Sequence, residues 1–302
     1  MNVQQLYNTP HVLSLGMLIA IYFYLTGLSA GSFVISAIST IGGQTEYKPI
    51  GKIGAVLAPV LLILAPITLI LDLEQPARFW HLFVYLNPKS PITYGSFLLT
   101  MYPINCLIYA WFVFQGNLKM ARAFGVLGIP LAIATHGYTG FILALGKGRA
   151  LWSTALMPTL FIVSAMVSGV ALVIIVAAMK NQWFSKSPEA KEKERRLILR
   201  LGKILGACIM ADLFLVFNDI LVLLTSTTEA LHVAKLLLYG SFSFLFLGVE
   251  IFLGGVVPLV LIFWPRTGKF LRGLVPASVL VLVGVFVMRV VVVIAGQSIP
   301  LH

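Results

Sequence analysis

The chain has 302 residues, of which 59% are hydrophobic and only 10% charged, and its mean hydropathy is +0.99. A soluble domain carries roughly 25% charged residues, so a water-soluble fold is excluded and most side chains must meet lipid or one another. The net charge of +11 does not point to nucleic acid. The basic residues sit in short connections between apolar runs, where membrane topology is encoded, and not on a stripe with interleaved aromatics.

In chain order, Met1 to Pro10 is polar and lacks a basic n-region. No cleaved signal peptide is therefore expected, and the first apolar run should remain as a span. Apolar runs lie near Val12–Ile41, Ile53–Leu73, Tyr94–Gln115, Ala121–Leu145, Thr154–Met179, Leu197–Thr225, Val233–Trp264 and Leu271–Ala295. Each meets the roughly 20 residues needed to cross ~30 Å of hydrocarbon. A backbone in lipid must satisfy its own hydrogen bonds, so eight helices are predicted. The first and seventh are long enough to tilt or project. The charged run Lys191–Arg200 is expected to be a solvated loop before the sixth.

Eight spans put both termini on one side. The connections there hold Arg78, Lys89, Lys147, Arg149 and Lys235, against fifteen basic residues on the other side. The richer side is read as cytoplasmic, so both termini face outward. A weak internal repeat relates Thr26-Gly-Leu-Ser-Ala-Gly31 to Ser164-Ala-Met-Val-Ser-Gly169, and Gly51-Lys-Ile-Gly-Ala55 to the stretch Gly202–Ala207. It suggests two parallel four-helix halves, residues 1–150 (with an outer loop at 73–93) and 151–302. Close helix packing alone would also explain these small residues.

Ionisable groups inside a membrane are rare and usually face a bundle interior or water. Here most gather toward the outer ends of the spans. His11 opens the first. Asp72 ends the second, followed by Arg78. His136 and Tyr138 lie on the fourth, Asp219 on the sixth and Arg289 on the eighth. Asp212 and Glu250 sit deeper. Quinol chemistry needs donors for carbonyls and acceptors that can take a proton, which His, Tyr and Asp supply. Asp72 and Arg78 can equally form a structural ion pair, and His136 can equally be a packed, hydrogen-bonded residue. Asp212, Asp219 and Glu250 are candidates for a proton path. Two cysteines, Cys106 and Cys208, cannot ligate an iron–sulfur cluster, which takes about four thiolates. Only His136 lies well inside a span, so a bis-histidine haem is not expected.

The stretch Asp72-Leu-Glu-Gln-Pro-Ala-Arg-Phe-Trp-His-Leu82, followed by Asn87-Pro-Lys-Ser-Pro-Ile-Thr-Tyr-Gly-Ser96, resembles the NrfD/polysulfide reductase membrane-subunit family. Tyr24–Gly31, His136-Gly-Tyr-Thr-Gly-Phe141, Glu250–Pro258 and Arg289 before Gly296-Gln297 also agree. The resemblance implies an all-α integral membrane protein of eight helices in two four-helix bundles, in a bacterial or archaeal cytoplasmic membrane. It implies a menaquinone or ubiquinone site near the outer face, with no haem or iron–sulfur cluster bound by this chain. It further implies an iron–sulfur, ferredoxin-like subunit on the outer face, with a molybdopterin or multihaem cytochrome catalytic subunit beyond it. By motif match, Tyr138 and the Asp72 region fall at the quinone site, and His11 corresponds to the family's histidine near the start of helix one. The residues alone leave two rival classes open, a secondary transporter and a purely structural anchor.

Overall fold

The computed structural model describes residues 15–43, 45–73, 75–183, 187–268 and 270–298. Among them eight helices are long and apolar enough to cross a membrane. They are α1 (Met17–Ile41), α2 (Lys48–Leu71), α4 (Pro91–Gln115), α5 (Leu118–Ala144), α6 (Met157–Trp183), α7 (Pro188–Thr225), α9 (Phe244–Phe263) and α10 (Leu271–Ser298). Two short helices, α3 (His81–Val84) and α8 (Thr228–Leu238), lie between spans. The chain also writes its own stops and starts. Gly116 takes φ +77 to close α4, and the Asn117 side chain then caps α5 by accepting from Met120 N. Only a residue free of a Cβ adopts that left-handed turn readily.

Two connections differ from the sequence expectation. The charged stretch Lys191–Arg200 is not a loop but part of the first turns of α7. Ser187 caps it by accepting from Ala190 N, Pro188 sits at its start, and Glu192 pairs with Arg195 and Arg196 one turn on. Helix-spaced ion pairs of this kind support a solvated helix. At 38 residues α7 is about 57 Å long, so it projects well beyond the ~30 Å hydrocarbon core. Lys180 and Glu46 hold the projecting part through Glu194 and Arg200.

The seventh apolar run, expected as one long span, is broken. Its start, with the preceding Thr228–His232, forms α8, capped by the Thr227 hydroxyl. α8 buries Ala230, Val233, Ala234 and Leu237 on one face and exposes Glu229, His232 and Lys235 on the other, the pattern of a helix lying at an interface. The chain turns at Tyr239–Ser243, where the Ser243 hydroxyl donates to Gly240 O, and then enters α9. The first thirteen residues of α9, Phe244–Val256, are π-helical. A proline in a helix clashes with the carbonyl four residues earlier. Pro258 lies two residues beyond this segment, in the first turn of the α-helical remainder of the span, and a π turn is a common way for a helix to relieve such local strain.

The spans form two rings of four, α1, α2, α4, α5 and α6, α7, α9, α10. They are joined where α1 packs on α6 and α10 and where α5 packs on α6. α1 is the most deeply enclosed span, and the buried core continues from it into α6. The repeat predicted from sequence meets itself here. Gly31 of α1 lies against Gly169 of α6, and a Cβ on either would collide with the other's backbone. In lipid, where no hydrophobic force separates helix from solvent, such backbone-to-backbone contact is a main source of helix association.

Candidate functional site

Arg289 of α10 is fully buried where α1, α5 and α6 converge on it. Its Nη2 donates to Ser164 Oγ at 2.5 Å and Phe161 O at 3.3 Å, and stands 3.2 Å from His136 Nε2. The guanidinium also lies 3.9 Å above the Phe161 ring, an attractive arrangement for a cation and a π face. Arginine has only donors, so His136 Nε2 accepts and the ring proton sits on Nδ1, 3.4 Å from Thr26 Oγ1. Sequence reading missed Thr26 and Ser164, although the signal was present: they are the first residues of the two repeat motifs. Each holds one member of the His136–Arg289 pair.

The remaining polar atoms of this layer are incompletely satisfied. Arg289 Nε and Nη1, Asp212 Oδ1 and Glu250 Oε2 are buried without a hydrogen-bond partner among the described residues. Both carboxylates are within electrostatic reach of the guanidinium, yet neither forms an ion pair with it. Asp212 and Asp219 are seven residues apart on α7 and therefore share a face. Asp219 accepts from Thr154 Oγ1 at 3.1 Å. Glu250 lies on the π-helical part of α9. A cavity of about 20 Å³ touches Asp212 and Glu250, and another of about 30 Å³ touches Glu250 and Asp219. Glu250, Val216 and Met288 border both. Of the three carboxylates expected as a path, Glu250 borders both cavities, Asp212 borders one and Asp219 the other.

At the Asp72 end of the spans, Tyr138 is half-buried and its ring packs on Gly95, where a Cβ would collide with the ring. Gly95 is the glycine of the Asn87–Ser96 motif, whose loop is stitched by Thr93 Oγ1 donating to Asn87 O and by Tyr94 OH donating to Pro88 O, both at 2.9 Å. Tyr138 and His136 are two residues apart on α5 and point to different neighbours: His136 to the α6–α10 seam, Tyr138 to α4. Tyr22 of α1, which sequence reading passed over, brings its phenol close enough to Tyr138 for the two to interact electrostatically. Neither phenol has a hydrogen-bond partner among the described residues.

Asp72 closes α2 and its Oδ1 approaches Gly16 at the start of α1. Partial burial pushes its carboxyl above the usual carboxylate range. It forms no ion pair with Arg78. Arg78 instead borders an open groove of about 530 Å³ with His81, Tyr85, Asn87 and Thr93. His11 lies outside the described residues. The predicted residues therefore divide into three places: the His136–Arg289 seam with its carboxylates, the Tyr138–Gly95 contact, and the α2–α4 connection carrying Arg78.

Gly296 explains the last stretch singled out in sequence. A Cβ there would collide with Trp152, whose Nε1 donates to Val292 O at 2.7 Å. Gln297 exchanges two hydrogen bonds with the Leu15 backbone. This end of the seam is thus closed by α1, α10 and the α5–α6 connection together.

Comparison with known proteins shows which family the sequence falls in. The sequence is 30% identical to the C polypeptide of polysulfide reductase from Wolinella succinogenes, with 93% of each protein covered. It is 30% identical to the Hdr-like menaquinol oxidoreductase integral membrane subunit of Archaeoglobus fulgidus (92% of this protein, 69% of that one). It is 26% identical to the C polypeptide of selenate reductase from Mesobacillus selenatarsenatis (95% and 75%). Residues 5–300 match the family described as polysulphide reductase, NrfD, and the chain belongs to that family.

Proposed function

We propose that the chain is the quinone-interacting membrane subunit of a multi-subunit oxidoreductase, exchanging electrons between a membrane quinone and an iron–sulfur partner on its outer face. The supporting relatives belong to enzymes named for menaquinol, polysulfide and selenate, and one of them is named as an integral membrane subunit. The observation that carries the reading is the pair of phenols of Tyr22 and Tyr138. Each phenol lacks a hydrogen-bond partner among the described residues; Tyr22 is buried and Tyr138 is half-buried. A flat ring with two oxygens fits that demand. When bound, the quinone supplies two-electron, two-proton redox chemistry.

The chain's own residues do the rest. Tyr138, steadied by Gly95, orients one ligand oxygen, and Tyr22 or His11 holds the other. Asp72, a carboxyl that burial has made a better proton acceptor, receives or returns protons at the outer surface. Arg289 fixes the His136 tautomer and keeps a positive potential beneath the site. Asp212, Glu250 and Asp219 form a relay between the seam and the outer half, with cavities large enough for single waters between them. The exposed Trp80, Phe83, Tyr85 and Leu86 of the outer loop, with the groove at Arg78, form the docking surface for the iron–sulfur partner. A membrane of bacterial or archaeal type is the proposed setting, with both termini outside.

The test is Tyr138→Phe in the assembled complex. It removes one hydroxyl and should lower quinol-linked turnover at least tenfold, with unchanged iron–sulfur absorbance. Turnover equal to the parent would contradict the reading. Glu250→Gln should change the protons moved per electron while leaving electron transfer in place; an unchanged ratio removes the relay alone.

A further inference from the structure

A second polar cavity lies at the opposite end of the first bundle. It has a volume of about 210 Å³ and opens between the end of α1, the start of α2 and the α4–α5 turn. Ser39, Thr40, Lys48, Lys52 and Phe114 border it. Lys52 Nζ stands 5.8 Å from the Phe114 ring. Arg122 reaches in from α5, with Nε 3.4 Å from Thr40 O and its guanidinium against Gly43. Among the described residues none of these three cations has a carboxylate partner. The nearest acid in sequence, Glu46, is turned away to Arg200 at 3.5 Å. Three uncompensated cations around a hollow with two hydroxyls in its wall make a site for a phosphate-bearing anion.

The surroundings select the kind of anion. From Lys52 an exposed apolar stripe, Val56, Val60 and Ile63, runs along α2 toward mid-membrane. From Phe114 a matching stripe, Trp111 and Leu107, runs along α4. α2 and α4 pack together, so the two stripes bound one lipid-facing furrow that begins at the cavity. A free phosphate uses the cations alone, whereas a phospholipid uses the cations and the furrow.

We propose that this cavity binds the phosphodiester of an anionic phospholipid of the leaflet at the Lys48 end, with an acyl chain lying in the α2–α4 furrow. Basic pockets between spans on that side of a membrane are suited to anionic head groups. The site is separate from the Tyr22–Tyr138 end, and it stands or falls without the quinone reading.

The experiment uses the full chain in mild detergent, with bound lipid counted by native mass spectrometry during titration with phosphatidylglycerol or phosphatidylcholine. The expected result is one tightly retained phosphatidylglycerol, preferred over phosphatidylcholine, and not released by millimolar inorganic phosphate. Lys48→Gln and Lys52→Gln should each weaken retention about fivefold, from roughly 1 kcal/mol per basic residue near an anionic lipid. Lys191→Gln on the projecting end of α7 should leave it unchanged. Should one of the two cavity variants fail to fold, the other is read alone. Equal retention of the two lipids, or of parent and variant, overturns the proposal. Release by inorganic phosphate overturns the lipid assignment and leaves an anion site.

Discussion

His136 Nε2 and Arg289 Nη2 stand 3.2 Å apart on the fourth and eighth spans, the last helix of each half. Thr26 and Ser164, on the first helix of each half, hold the outer sides of the pair. The seam between the two rings of helices is therefore polar at this level, and further along it is closed by the Gly31–Gly169 crossing.

Removing the Ser164 hydroxyl tests this layer. Ser164→Ala leaves a buried guanidinium nitrogen with one fewer acceptor, a loss of about 1–3 kcal/mol. Thr26→Val should cost less, because its 3.4 Å contact is long and its proton goes to the carbonyls of Tyr22 or Phe23. Thermal unfolding in detergent should rank the two in that order; the reverse order would contradict the geometry.

The crossing makes a second prediction. Gly31→Ala and Gly169→Ala each insert a methyl into backbone contact and should destabilise by about 1–3 kcal/mol. The two residues touch, so once either has pushed the helices apart the second change should cost much less. Full additivity of the two in thermal unfolding would show that they act at separate places.

Gly95→Ala should reach the proposed quinone site without touching its ligand groups. The added methyl displaces the Tyr138 ring, so quinol-linked turnover should fall by about the amount that Tyr138→Phe produces. The double variant should be little worse than either single one. A Gly95→Ala protein with parental turnover would mean that the position of the Tyr138 ring is unimportant.

Asp72 gives a pH signature. Its carboxyl is raised by burial, so the folded state favours the protonated form. Its contribution to stability is full below the ordinary carboxylate value and is lost as pH rises through the raised value. Asp72→Asn lacks this loss. Measured as thermal stability against pH, the variant should gain on the parent across that window and then run parallel to it. A variant that loses ground with rising pH would show the opposite sign and a carboxylate favoured by folding.

The eight spans were legible because each contains a predominantly apolar stretch of membrane length. The two misread connections share one cause: hydropathy does not report helix ends. Lys191–Arg200 is too charged for lipid but well spaced for a solvated helix. The break at Tyr239–Ser243 is hidden because α8 is apolar on one face. The role of Gly95 was foreshadowed by the Asn87–Ser96 motif. The pairing of His136 with Arg289 was not, since it joins residues 153 apart through tertiary packing. Nor does any sequence period reveal the π turn that carries Glu250. Tyr22 was overlooked because one more aromatic on a buried helix reads as packing until its neighbour is known.

A ligand seated between Tyr22 and Tyr138 can be located by photolabelling the complex with an azidoquinone, followed by peptide mapping. Label should fall on the segments containing Tyr22, Gly95 and Tyr138, and excess unlabelled quinone should remove it. Competable label confined to the Ser39–Lys52 cavity, or to the lipid-facing surface of α9, would place the quinone elsewhere and refute the proposed site.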